Sequence, residues 1–250
     1  MLDKSDGFAK SSLDSEVEAR IAEHCARFAI DPLTAVKHFP VLARRQLLKR
    51  FLGHVELFKL ALEVPGDIAE LGVFRGLGLF TWANLLEAYC IGNRTKTVYG
   101  FDNWQGFTEL SPQDARPSDD AGKVIGGFDP GGYLAELVDA IAIFDSDRFI
   151  PFKPRIKLIK GQIEDTVPRF LAENPGVRFS LVHFDCDLYR PTKAALDAIW
   201  ERVARGDVLI FDEYAIPAWA GETAAVDEFL ARTPEARLKP SPGPTCRARI

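Results

Sequence analysis

Residues 65–76 read PGDIAELGVFRG, and this stretch decides the class of fold. Asp67 to Val73 is a short apolar run bounded by glycine-bearing turns, the pattern of a buried strand. It runs into a turn containing Gly72 and Gly76, and Leu77 to Tyr89 then reads as a helix. Four similar runs follow downstream: KTVYGFD (96–102), RIKLIKG (155–161), RFSLVHFD (178–185) and DVLIFDE (207–213). Helical stretches at Glu164–Glu173 and Thr192–Val203 lie between them. Strands alternating with helices at this spacing predict an α/β fold with a Rossmann-like, mostly parallel sheet and helices on both faces.

Upstream of Pro65 the texture is helical. Residues 1 to about 12 read as a loose leader, Ser15 and Glu18 as a capping box, and Val17, Ile21, Cys25 and Phe28 recur at helical spacing. Leu47, Leu48, Phe51, Val55, Phe58 and Leu62 trace an amphipathic helix within Val41–Leu62. Residues 1–64 are therefore read as an N-terminal helical extension, serving as a cap over the site or as a homo-oligomer interface, and residues 65–250 as the main domain. Thr108–Gly132 is polar and rich in Gly, Pro and Asp, as lids and binding loops are. The tail Arg237–Ile250 reads as a turn joining two edge strands.

The net charge of −5 and the lack of any Lys/Arg-rich block argue against nucleic acid as a partner. No apolar run reaches the ~18 residues of a membrane span, and the first twenty residues lack a signal-peptide core. Cys25, Cys90, Cys186 and Cys246 form no C-x-x-C pair, so reduced thiols in a cytoplasmic protein are expected.

In open α/β sheets ligands bind at the carboxyl ends of the strands. At those ends this sequence places Glu70, Asp102, Gly161 with Gln162, Asp185 with Asp187, and Asp212 with Glu213. Each residue alone has a bland reading as a cap or a solvated strand end. Four carboxylates at neighbouring strand ends do not, because like charges repel unless a cation or a shared proton relieves them. Cys186 and His183 read as core. The turn Glu70–Gly76 is not G-x-G-x-x-G. Bulky Val73 and Phe74 and an acid at the turn suit a cationic or zwitterionic ligand, such as the aminoacyl end of S-adenosylmethionine, better than a pyrophosphate. Asp102 is placed for ribose hydroxyls. The expected cofactor residues are Glu70, Gly72, Val73, Arg75, Gly76, Asp102, Trp104, Gly161, Gln162 and Asp185.

AELGVFRG (69–76), GFDNWQGF (100–107), KGQIEDTVP (160–168), HFDCDLYRPTKAAL (183–196) and FDEY (211–214) together resemble the macrocin O-methyltransferase family of antibiotic-sugar methyltransferases, over roughly Pro65–Leu230. RPSDDAGKV (116–124), PGGY (130–133) and PAWAGE (217–222) look like the subgroup that acts on deoxysugar nucleotides, of the TDP-rhamnose 3-O-methyltransferase type. The resemblance implies a class I methyltransferase fold and S-adenosylmethionine-dependent O-methylation of a small-molecule sugar or sugar nucleotide. It also implies Mg²⁺ held by Asp185, Asp212 and Glu213, with Asp187 as general base. The family's usual pair after the last strand is Asp-Asp; here it is Asp-Glu, which keeps a carboxylate for a hard cation but lengthens one arm. Three rival readings are a metal-independent methyltransferase, a nicotinamide-dependent Rossmann enzyme and a non-catalytic cofactor-binding scaffold. The glycine pattern opposes the second and the acidic cluster opposes the third.

Overall fold

The computed structural model describes residues 12–114, 123–129, 131–240 and 248–249. β1 (Asp67–Leu71), β2 (Val98–Asp102), β3 (Ile156–Lys160), β4 (Phe179–Phe184) and β5 (Val203–Phe211) pair in parallel. β7 (Ala248–Arg249) adds antiparallel to β5, and β6 (Lys239–Pro240) adds antiparallel to β7, giving the order β3-β2-β1-β4-β5-β7-β6. The two edge strands match the reading of the tail; the turn between them, residues 241–247, lies outside the described residues. The order reverses direction between β1 and β4, so the loops leaving these two strands open a crevice at the carboxyl edge.

The strands are apolar on both sides because both faces are covered. Ala69, Leu71, Phe101, Val182, Phe184, Leu209 and Phe211 join one core with α7 (Ile163–Glu173), α8 (Tyr189–Ile199) and α9 (Ala220–Arg232). The alternate residues Ile68, Val98, Leu181, Val208 and Ile210 join a second core with α4 (Arg45–Ala61) and α5 (Leu77–Tyr89). A period of two distributes the sheet's side chains between these layers. This is the class I methyltransferase architecture.

α5 has the predicted bounds, while α8 starts at Tyr189 and gives way to a 3₁₀ turn, Trp200–Arg202. α6 (Tyr133–Asp147) and α9 were not anticipated. The N-terminal reading needs two corrections. Its first helix, α1 (Ser12–Arg27), begins before Ser15, so Ser15 and Glu18 lie inside it and form no capping box. The Val41–Leu62 helix is split: Val41 and Leu42 end a short α3 (Phe39–Leu42), and α4 starts at Arg45, with α2 (Pro32–Lys37) upstream of both. Moreover, Leu47 and Phe51 are exposed, and the buried face of α4 is Gly53, His54, Leu57, Phe58 and Ala61. The apolar pattern misplaced the face because its inner side carries a histidine. Among the described residues no helix is long and apolar enough to cross a membrane, and Cys25, Cys90 and Cys186 are free thiols.

Asp207, in β5, has a buried Oδ2 without a hydrogen-bond partner, and burial pushes its carboxyl up to about 7 from 3.8. In the unfolded chain the group ionises near 3.8; in the fold it keeps its proton to about 7. Stability therefore falls as pH rises between these values and the penalty is complete above them. Asp207→Asn should raise stability by roughly 1–2 kcal/mol at pH 8, discounting the shift for partial exposure, and by little at pH 4. Urea midpoints at the two pH values check this; an equal effect at both would refute it.

Candidate active site

The loop leaving β1 is held against the ends of β2 and β4 by backbone geometry. Gly72 N donates to Phe101 O at 2.9 Å, and Asp185 N donates to Leu71 O at 2.9 Å. Gly72 has φ +89°, and a Cβ there would collide with the Asp185 carbonyl oxygen and lie 2.6 Å from its carbon. Only glycine permits this approach. Asp102 then ties the turn together: its Oδ2 accepts from Val73 N and Phe74 N, both at 2.8 Å, and its Oδ1 accepts from Trp104 N at 2.7 Å. Phe74, Trp104, Asp187 and Ala215, in the loops after β1, β2, β4 and β5, all have left-handed backbones, with φ between 49° and 62°. Non-glycine residues in that region concentrate where a surrounding structure over-determines them, often at functional sites.

The loops after β1, β2 and β4 border a cavity of about 310 Å³ whose walls include Gly72, Asp102, Gln162, Asp185 and Asp187. The other expected cofactor residues are not on its wall. Val73 and Trp104 are core, and Gly76 is the left-handed cap of α5. Arg75 pairs with Glu136 and lies over Tyr133, and Gly161 N donates to Asp102 O. Glu70 is 1 % exposed, beneath the start of α5, with its Oε2 at 3.5 Å from His183 Nδ1. Burial raises its pKa against the pull of His183.

Sequence reasoning missed other wall residues. Asn103 and Phe107 lay within a quoted motif, whereas Phe128 and Asp114 lay in the polar insertion. Asp114 is 1 % exposed; its Oδ1 accepts from Tyr189 N and its Oδ2 from Ser111 N, pinning the insertion to the start of α8. Phe107 and Phe128 stack at 5.2 Å and reach Trp219. The insertion is thus packed on the site at both described ends, while residues 115–122 and 130, with most of RPSDDAGKV, lie outside the described residues.

The acidic residues do converge. β4 ends at Phe184, so Asp185 and Asp187 are not on a continuing strand; the chain turns at Asp187, φ 62°, and both still reach the cavity. His183, fully buried, places Nε2 3.9 Å from Asp212 Oδ1, so this core histidine touches the acidic group from behind. One ligand atom each from His183, Asp185 and Asp212 fall within 4.8 Å of one another. Glu213 is outside that set. Its charge acts on Asp187 and on Glu222, a fully buried carboxylate that accepts from Glu213 N at 2.9 Å. Glu222, in PAWAGE, was not singled out in sequence. Burial, then Glu213 and Asp185, raise Asp187 well above the carboxylate range. Burial also pushes Asp212 upward, but Arg50 and His183 outweigh it and hold Asp212 at about 2. Arg50, from α4, donates Nη2 to Asp185 Oδ2 at 2.9 Å and lies 3.2 Å from Asp212 Oδ2.

The model of the family described as macrocin-O-methyltransferase (TylF) matches residues 43–235. The chain belongs to this family. The match begins within the N-terminal helices and so includes α4 and Arg50, further upstream than the motifs alone indicate. A tetracenomycin-C rhamnosyl 4'-O-methyltransferase of Streptomyces olivaceus is 28% identical over 75% of this chain and 69% of its own. The crystal structure of CalS11, a calicheamicin methyltransferase, superposes with a TM-score of 0.88 at 33% identity, covering 96% of this chain and 93% of that one. A second CalS11 structure, described as an apo TDP-rhamnose 3'-O-methyltransferase, gives 0.80 at 31%, over 96% and 95%. The macrocin-O-methyltransferase-family chain described here is accordingly an S-adenosylmethionine-dependent O-methyltransferase. The nicotinamide and scaffold readings fall away.

Proposed function

We propose that the enzyme methylates a hydroxyl of a deoxysugar, nucleotide-linked or within a natural-product glycoside, with the assistance of a divalent cation. The supporting observation is that Asp185 and Asp187 line the cavity that the loops of β1, β2 and β4 enclose, while Asp185 also groups with Asp212 beside it. S-adenosylmethionine supplies an already activated methyl group. What the chain must supply is alignment and a deprotonated acceptor oxygen. Gly72, Asp102 and Gln162 are the wall residues proposed to hold the cofactor, with Glu70 supporting the turn from behind. Asp187 is the proposed base, taking the acceptor's hydroxyl proton onto its carboxylate oxygen.

The carboxylates fit a metal by donor chemistry: oxygens of Asp185 and Asp212 lie within 4.8 Å of one another, and carboxylate oxygens are the donors Mg²⁺ prefers. Glu213 is the proposed third ligand and would have to turn its carboxylate toward them. Such an ion, when bound, would lower the pKa of an acceptor hydroxyl. The sugar assignment rests on the relatives, whose names specify rhamnosyl and TDP-rhamnose acceptors. The enzyme is proposed to act in the cytoplasm.

The test is a screen of TDP-deoxysugars and glycosides with methyl-labelled S-adenosylmethionine, with and without EDTA. Label should enter a deoxysugar, disappear with EDTA and return with Mg²⁺, while calorimetry shows S-adenosylhomocysteine still bound in EDTA. Full turnover in metal-stripped protein would establish the metal-independent rival. Label in non-sugar acceptors alone would overturn the sugar reading.

A further inference from the structure

The N-terminal helix α4 contributes one charged group to the acidic cluster. Arg50 Nη2 lies 2.9 Å from Asp185 Oδ2 and 3.2 Å from Asp212 Oδ2, so a single nitrogen bridges the two carboxylates. A divalent ion shared by Asp185 and Asp212 would need oxygens from the same two groups. We propose that Arg50 is a built-in counter-cation that occupies this bridging position and must be displaced for the divalent ion to bind; the inference rests on the metal reading above.

The physical case is a competition between cations. Asp185, Asp187, Asp212, Glu213 and Glu222 act on one another electrostatically within a largely buried region. Their mutual repulsion in a low-dielectric setting is relieved by a positive charge. His54, on the same face of α4, cannot supply it: burial and the neighbouring His183 push it down to about 2, so it stays neutral. Arg50 retains its charge at any working pH and sets one guanidinium nitrogen against both carboxylates at once. Its side chain is 15% exposed, so it is not sealed in the core. A carboxylate oxygen engaged by a guanidinium must break that contact to coordinate a metal closely. Arg50 therefore sets the threshold for metal binding and keeps the acidic site assembled below that threshold.

Mn²⁺ binding to the full chain, read from the loss of the free-ion electron paramagnetic resonance signal with Mg²⁺ as competitor, tests this. Arg50→Met should tighten Mn²⁺ binding by at least about tenfold, since the ion then meets the carboxylates without a resident rival. Arg50→Lys, which retains the charge without the planar guanidinium, should fall between and serves if Arg50→Met fails to fold. Arg45→Met, on the exposed side of the same helix, removes an equal charge and should change nothing. Thermal denaturation gives a second readout: Mg²⁺ should raise the Tm of Arg50→Met more than that of wild type. If wild type binds Mn²⁺ and neither Arg50 variant binds it more tightly, the competition is overturned and the metal site stands. If no protein binds Mn²⁺ at millimolar concentration, the metal reading itself is overturned.

Discussion

Asp187→Asn is expected to lower kcat by roughly 10²–10⁴-fold, the usual worth of a positioned base, while S-adenosylhomocysteine affinity and the Mg²⁺ requirement stay nearly unchanged. Asparagine preserves the size of the side chain and removes only its ability to take a proton. Asp187 is suited to that task in two respects. Its left-handed backbone, φ 62°, turns the chain at the end of β4 so that the residue reaches the cavity without a continuing strand. Burial and the charges of Glu213 and Asp185 raise its proton affinity, which favours uptake of the acceptor's proton. Asp185→Asn should give the complementary phenotype, needing more Mg²⁺ because an amide donates less charge to a hard cation. A Mg²⁺ titration of both variants with saturating cofactor and acceptor separates them. If Asp187→Asn shows the metal defect and Asp185→Asn the loss of kcat, the two roles are exchanged.

The second large effect is expected at Gly72→Ala. A left-handed non-glycine residue costs about 1–2 kcal/mol, and overpacking against a fixed backbone costs about 1–3 kcal/mol more. The opposing atoms are the carbonyl oxygen and carbon of Asp185, which cannot swing aside as the tip of a side chain could. The turn after β1 must move away from the end of β4, weakening the hydrogen bond from Asp185 N to Leu71 O. A loss of roughly 2–5 kcal/mol follows, with at least about tenfold weaker S-adenosylhomocysteine binding because the cavity wall shifts. Denaturant midpoints and calorimetry measure the two effects; an unchanged midpoint would show that the turn is looser than the geometry implies.

The sheet was legible because its signal is local. Five apolar runs, each ended by glycine or acid, locate β1–β4 closely and β5 in part, since β5 starts at Val203 where a helix was expected, and the carboxyl-edge rule then predicts which side chains share a site. Asp102, Gln162, Asp185 and Asp187 reach the cavity for that reason. What sequence could not show is which way a residue beside a strand end turns. Glu70 looks like Asp102 in sequence, yet it lies one residue inside β1 and points beneath α5. Trp219 and Tyr189 near strand ends are likewise occupied: Trp219 is buried in packing, and the Tyr189 hydroxyl donates to Glu228. Arg50 and Glu222 were hidden for a different reason. Both sit on inner faces of helices, where a pattern of apolar residues treats a charge as a mark of the outer face.

The ladder joining β1 to β4 has a consequence for how the enzyme comes into being. Glu70 and His183 are neighbours across that ladder yet far apart along the chain, and Arg50 reaches the acidic residues from further away still. Pairings of this kind close long loops and, across proteins, go with slower folding. The carboxylates therefore meet only after the central strands have docked. The site is thus a product of long-range pairings and belongs to no single local segment of the chain.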